Sequence, residues 1–319
     1  MLSRRHLRIK VLQAIYAYFQ DESADLAKSE KLLFQSIDKL YELVILQLSF
    51  IIEMRDFAHN LSEDKKKKYF PTEEDLNPNM RFVENRFLKK IENNREYLRM
   101  HKQLRINWAD EQGMVRKAYL GMQEKSFYKT YMSRADSSFA NDRDFIARLV
   151  RKVLTEYELL EQFFEDKSVF WAFDSYYTAS MLLVKLAKMI HETDDEYRPL
   201  PALLSAGAGK EDREFMVRLW RKTIMGNDTF EKMIDEKASN WEIDRIALMD
   251  VILIKMALAE LVEFPTIPVK VTLNEYIDIS KYYSSEKSKV FINGILDKLI
   301  ADMKASKMIV KTGRGLLES

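Results

Sequence analysis

The sequence predicts an all-α protein, and three observations carry that prediction. Only 8 Gly and 6 Pro occur in 319 residues, whereas sheets and their turns consume more of both. Lys, Glu, Leu and Met are abundant, and apolar residues recur at helical spacing along the chain. Hydrophobic content of 47% is enough to bury the cores of one large or two ordinary domains without staples.

Taken in order, the first helix is expected from about Ser3 to Gln20, with Leu7, Val11, Ala14, Ile15 and Tyr18 on its buried stripe. A longer pattern follows from about Ala27 to His59. Glu63-Asp64, the run Lys65 to Lys68, Phe70-Pro71 and Asn77-Pro78 then make a polar, proline-punctuated link. Two charged helical stretches span about Phe82 to Arg134, broken near Asp110. The segment Pro199 to Lys210, PLPALLSAGAGK, gathers much of the small stock of Pro and Gly and is the clearest boundary in the chain.

An internal repeat flanks that boundary. DRDFIARLVRKVL, from Asp142, returns as DREFMVRLWRKTI, from Asp212, and the register continues without a gap. Glu161 matches Glu231, Lys167 Lys237, Trp171 Trp241, Asp174 Asp244, Leu183 Leu253, Lys185 Lys255 and Ala187 Ala257. Apolar positions match between these identities, so both copies are expected to form one three-helix unit, with Trp171 and Trp241 as packing rather than base-stacking residues. Two copies make a duplication, not a solenoid.

Composition also narrows the function classes. Cysteine is absent, which removes disulfides, zinc-thiolate sites and cysteine nucleophiles and fits a cytoplasmic protein. No apolar run approaches the roughly 20 residues that span a bilayer, so no membrane partner is expected. The histidines His6, His59, His101 and His191 are widely separated, and no HExxH, Walker loop, glycine-rich dinucleotide loop or G-x-S-x-G occurs. Asp56 and His59 share a helix face, but a single such pair reads as a surface contact. No active site, metal or cofactor is expected.

Lys+Arg 51 against Asp+Glu 50 gives a formal charge of +1, so any nucleic-acid site must be a local patch. The opening segment offers one, because Arg4, Arg5, His6, Arg8 and Lys10 precede the first acidic residue, Asp21. Guanidinium forks suit phosphate and stack on bases. The alternative is an ordinary solvated basic first turn.

The most informative stretch is 267–299, IPVKVTLNEYIDISKYYSSEKSKVFINGILDKL. Pro268 suits a first-turn position, and Val269, Leu273, Tyr276 and Ile277 fall at helical spacing, with Asn274, Glu275, Asp278 and Lys281 on the wetter face. Ser284 or Ser285 is placed to cap a second helix with Glu286 in its first turn and Phe291, Ile292, Ile295, Leu296 and Leu299 as its apolar stripe. Asn293-Gly294 normally signals a turn, yet the apolar period runs through it. The expectation is a mid-helix glycine that lets another backbone approach closely.

This stretch resembles the carboxy-terminal signature of the NusB family of transcription antitermination factors, V-x-x-N-E-x-x-x-x-[AS]-K followed by S-x-x-F-[VI]-N-G-[VI]-L-D-K. The helix is proline-led as in the family, and the matching residues are Pro268, Val271, Asn274, Glu275, Ser280 and Lys281, then Ser288, Phe291 to Asp297 and Lys298. SRRHLRIKVLQAIYAYFQ is similar to the family's arginine-rich first helix, with Gln13-Ala14-Ile15-Tyr16 in place of Q-A-L-Y. The resemblance covers about 3–58 and 211–301. It implies NusB-type helical bundles enlarged by an inserted helical region holding the first repeat copy. The expected divisions are 1–59, an inserted 60–198 with the first copy at 142–190, a linker 199–210, carboxy-terminal family helices 211–304 and a tail 305–319. Either the insertion loops out, or the first copy replaces its twin in the amino-terminal bundle.

The resemblance further implies binding of boxA-type ribosomal RNA leader sequence, jointly with the ribosomal protein NusE, beside a transcription elongation complex. The RNA would meet Arg4, Arg5, His6, Arg8 and Lys10. Glu286, Lys287, Phe291, Asn293 and Asp297 would lie at the partner surface, although Phe291 is core by pattern and Lys287 stands where an acidic residue is common. The expected function is therefore an RNA-binding antitermination or termination factor rather than an enzyme. The rival is a helical interaction scaffold that keeps the fold without RNA binding, which the near-neutral charge favours. The Lys65–Lys68 run reads as a solvated loop or as an accessory electrostatic contact to RNA.

Overall fold

The computed structural model describes residues 2–21, 25–172, 174–204, 208–238 and 247–317. Among them every regular element is a helix, the class that composition predicts. They form two compact units, one of Leu2–Gln35 with Leu204–Ser319 and one of Ser36–Leu203. One division falls inside the second helix, well before residue 59, and the other falls within the Pro199–Lys210 segment.

In the first unit, α1 (Arg4–Gln20) begins at a capping box. The Ser3 hydroxyl accepts the His6 N–H, and the His6 ring accepts the Ser3 N–H. Leu7, Val11, Leu12 and Ile15 are buried, while Ala14 and Tyr18 are half-buried. The remaining helices here are the first turns of α2 (Leu26–Lys66) and, numbered after the second unit's α3 to α10, α11 (Ala208–Met225), α12 (Asn227–Ala238), α13 (Leu248–Glu263), α14 (Val269–Tyr283) and α15 (Ser288–Ala305). α13 is the central one. Its Ile252, Leu253, Ile254, Met256, Ala257, Leu258, Ala259 and Leu261 are all enclosed, so it is buried on every side and α1, α11, α12, α14 and α15 pack around it.

Three local expectations change. The buried stripe of α14 is Thr272, Tyr276, Ile279 and Ser280, leaving Leu273 and Ile277 half-buried and Val271 exposed. The helix is turned this way because Thr272 and Tyr276 both hydrogen-bond to a carboxylate buried in α13. Ser284 and Ser285 do not cap α15, which starts at Ser288. Instead the Ser284 hydroxyl binds Asp250 and both serine hydroxyls meet that of Ser288. Gly294 does lie mid-helix, but a Cβ built there meets nothing within 4 Å, so no backbone among the described residues approaches it.

The tail beyond Ala305 is also held. The Lys311 ammonium donates to the Leu261 and Phe264 carbonyls at 3.0 Å, satisfying the end of α13. The Thr312 N–H donates to the Pro265 carbonyl.

The second unit holds the rest of α2 with α3 (Glu73–Leu76), α4 (Arg86–Glu92), α5 (Arg95–Gln103), α6 (Gln112–Glu124), α7 (Ser126–Ser133), α8 (Phe139–Lys152), α9 (Glu158–Lys167) and α10 (Ser175–Met189). α2 runs past His59 to Lys66, ending on Lys65 and Lys66, which suit the negative end of a helix. The 82–134 region is four helices rather than two, and the break near Asp110 is a short 3₁₀ turn, Ala109–Glu111. Phe82, Phe87, Phe145, Phe164 and Tyr176 fill the core, and Gln47, fully enclosed, donates to the Tyr176 carbonyl.

The repeat copies occupy α8–α10 in this unit and α11–α13 in the other. In both, the first and third helices of the copy pack on each other. Phe145 and Phe215, Leu149 and Leu219, and Leu183 and Leu253 are buried in pairs. Trp171 is buried and donates its indole N–H to the Lys39 carbonyl at 2.7 Å, whereas Trp241 lies outside the described residues. Lys185 and Lys255 diverge, since Lys185 is exposed and Lys255 is buried against Glu231 and Asn227.

Candidate nucleic-acid interface

The basic start of α1 does not stand free in solvent. Arg8 is 3% exposed, and its Nε and a terminal N–H each donate to Glu260 of α13 at 2.7 Å. Glu260 is fully enclosed and accepts two further bonds, from the Thr272 hydroxyl at 2.9 Å and the Tyr276 hydroxyl at 3.0 Å. Four donors on two oxygens satisfy this carboxylate. Burial opposes the Arg8 charge, but the hydrogen bonds and charge of Glu260 outweigh it and raise the pKa above its ordinary value. Burial, then the Glu260 charge, likewise hold the Tyr276 hydroxyl well above its usual pKa.

The other basic residues of α1 differ in exposure. Arg5 is paired through two N–H groups with Glu275 at 2.9 and 3.0 Å and with Asp278 at 3.0 Å. Arg4 stacks over the Phe215 ring and meets Asp212 at 3.4 Å. The Arg4 side chain remains 41% exposed and that of Arg5 43%. His6 is committed to the capping box, and Lys10 is buried, with its ammonium 3.1 Å from the Gln13 side-chain oxygen.

Arg8 thus stands in the core, with its guanidinium bonded to the α13 carboxylate Glu260. Arg4 and Arg5 keep accessible guanidinium edges. Four carboxylates, Asp212, Glu260, Glu275 and Asp278, face the three arginines, so the patch is less basic than its sequence.

Glu260 was not among the expected site residues. Its signal was a lone carboxylate inside the apolar run Ile252 to Leu261, a place where an acid is stable only when paired. Glu275, by contrast, belongs to the signature, and its role here is to hold Arg5 and to approach Arg8 at 3.5 Å.

The expected partner residues gather along α15. Glu286 and Lys287 are exposed just before it, and Asn293 donates to Asp297 at 3.0 Å on its outer side. Val290, 66% exposed, and Gly294 share that face at helical spacing. Phe291 is 5% exposed and points inward with Ile295, as its place in the apolar stripe predicts.

Among the described residues, no cluster of three or more His, Asp or Glu is placed to hold a metal ion. Nor is any helix among them long and apolar enough to cross a membrane.

Comparison with known proteins places this geometry. The NusB family model matches residues 191–301, which begin just before the Pro-Gly boundary and end within α15. The transcription antitermination protein NusB of Salinibacter ruber is 40% identical over 105 residues, covering 33% of this chain and 66% of that protein. The NusB proteins of Chloroherpeton thalassium and Geotalea daltonii are each 36% identical, over 106 and 89 residues, covering 33% and 28% of this chain and 50% and 61% of theirs. The chain thus spans between half and about two thirds of the length of these relatives. No solved structure matches. Residues 191–301, which hold α11 to α14 and most of α15, thus form a segment of the NusB family type.

Proposed function

We propose that the chain is an RNA-binding transcription antitermination factor, holding a boxA-type leader RNA together with ribosomal protein NusE. The observation that carries this reading is the NusB match over 191–301, whose relatives are named for antitermination. Two features of the first unit support it. α1 packs on α11, α13 and α14, so the arginine-rich helix and the family segment make one body. The outer face of α15 also carries a mid-helix glycine that no contact among the described residues explains.

Function on this reading is binding without chemistry. Arg4 and Arg5 exchange their surface carboxylates for phosphates, at little net cost because exposed pairs are weak. Glu286, Lys287, Val290, Asn293 and Asp297 meet NusE, and Gly294 lets that partner's backbone come close. Joint burial raises RNA affinity above that of either protein alone. The work would be cytoplasmic, beside elongating polymerase.

The second reading, a scaffold without RNA binding, is favoured by one specific observation: the carboxylates that face the α1 arginines. A pull-down with the NusE of the same organism, with and without boxA RNA, separates the two. Pairing strengthened by RNA supports the first reading, and pairing indifferent to RNA supports the scaffold.

A further inference from the structure

The second unit, which lies almost wholly outside the family match, carries its own local excess of positive charge. An open cleft of about 560 Å³ is lined by Met80, Arg81, Arg86, Lys89, Met132 and Arg134. Among the described residues, Arg81, Lys89 and Arg134 have no carboxylate partner, and Arg86 has only a distant one, Glu192 at 3.9 Å. Two carboxylates also line the cleft, exposed Glu84 and Asp142, and Asp142 is already used, accepting the Tyr131 hydroxyl and the Arg86 backbone N–H, so the cations Arg81, Arg86, Lys89 and Arg134 outnumber the acids. Arg81 is fixed by donating to the Arg134 and Asp136 carbonyls while lying over the Tyr131 ring, and its Nε is buried with no hydrogen-bond partner among the described residues.

This cleft opens beside the end of α2, since Met80 in its wall takes a contact from the Ser62 hydroxyl at 3.7 Å. Just beyond come Lys65 to Lys68 and then Tyr69 and Phe70. These two rings are 91% and 83% exposed and sit edge to face, 4.7 Å apart. Two adjacent aromatic side chains held in water have no role in the folding of this unit. Lys66, Lys67 and Lys68 are paired with Glu63, Asp64 and Asp75, pairs that yield readily to phosphate where they are exposed.

We infer that the 36–203 unit holds a second contact for single-stranded RNA, with phosphates in the Arg81–Lys89–Arg134 cleft and bases stacked on Tyr69 and Phe70. The combination fits a flexible strand: every base has a face to stack, and cations spaced along a groove follow a backbone. A bilayer surface is a poorer match, because two rings offer little area to insert. The inference rests on the reading that the chain binds RNA, and it adds a site remote in sequence from the family segment.

The test uses the full chain and a fluorescein-labelled single-stranded oligoribonucleotide lacking boxA, titrated over a range of salt. Tyr69→Ala with Phe70→Ala should weaken binding about tenfold or more, and Tyr69→Trp should retain it. Lys89→Glu with Arg134→Glu should weaken binding and lower the slope of log affinity against log salt by about 1.4, at about 0.7 per lost phosphate contact. All of these side chains are exposed, so unchanged melting is the expected control.

If both pairs bind like the parent while Arg4→Ala with Arg5→Ala weakens binding, this inference falls and the reading at α1 stands. A parent chain that binds no RNA at any salt overturns both. Unchanged RNA binding with loss of adsorption to phosphatidylserine vesicles would also overturn it, by making the tip a lipid contact.

Discussion

Arg8 and Glu260 form a two-pronged ion pair at 2.7 Å inside the first unit, one on the opening helix and the other on the central helix α13. A sequence separation of 252 residues thus closes on a single contact. Removing one partner strands the other charge, which typically costs about 3–5 kcal/mol. Arg8→Ala and Glu260→Ala should each lower the denaturant midpoint strongly, and the double variant Arg8→Met with Glu260→Leu should recover much of the loss. Equilibrium urea unfolding of the set measures this directly.

Arg4 and Arg5 should behave in the opposite way. The two arginine side chains are more than a third exposed, so Arg4→Ala with Arg5→Ala should change stability by no more than about 1 kcal/mol. RNA affinity at moderate salt should nevertheless drop. An unaltered titration in the folded double variant would remove α1 from the RNA site.

Gly294→Ala separates folding from pairing. With nothing within 4 Å of its Cβ position, alanine should stabilise α15 by roughly 0.5–1 kcal/mol. If NusE seats its backbone there, the same variant should pair more weakly while melting higher. A variant that melts higher and pairs normally places the partner surface elsewhere.

Gly315→Ala should destabilise, because its Cβ would fall 1.9 Å from the Pro265 carbonyl oxygen. The clash is with backbone, so the 3₁₀ turn Gly313–Leu316 must move off the end of α13. A loss of about 1–3 kcal/mol is expected by thermal melting.

Alkaline unfolding follows from the tyrosines. Burial raises the pKa of Tyr41, Tyr97, Tyr119, Tyr131, Tyr176 and Tyr276 above the ordinary 10.0 in the folded chain. The unfolded state then loses protons first, so the stability these groups give is complete below pH 10 and declines as pH rises beyond it. Phenolate absorbance of these residues should appear together with loss of helix by circular dichroism, not before it.

Periodicity and composition revealed the helices, the repeat and the inward place of Phe291, because each rests on patterns within one element. They did not reveal that α14 turns Thr272 and Tyr276 inward, since that rotation is set by Glu260 on a different helix. The counter-charges of α1 were hidden for the same reason: charge read along a chain omits the carboxylates that folding brings across from α11, α13 and α14. Nor did the sequence show that α2 is shared between two units, because its apolar pattern runs on without a break where the division falls.

The central claim is that the first unit holds RNA jointly with NusE, and a salt titration of RNA affinity tests it most directly. The full chain, alone and with the NusE of its own organism, is titrated with boxA-containing RNA from low to physiological salt. The account predicts affinity that falls steeply and linearly in log salt, is tighter with NusE present, and weakens when Arg4 and Arg5 are replaced by alanine. Affinity that is flat in salt and indifferent to NusE would contradict it.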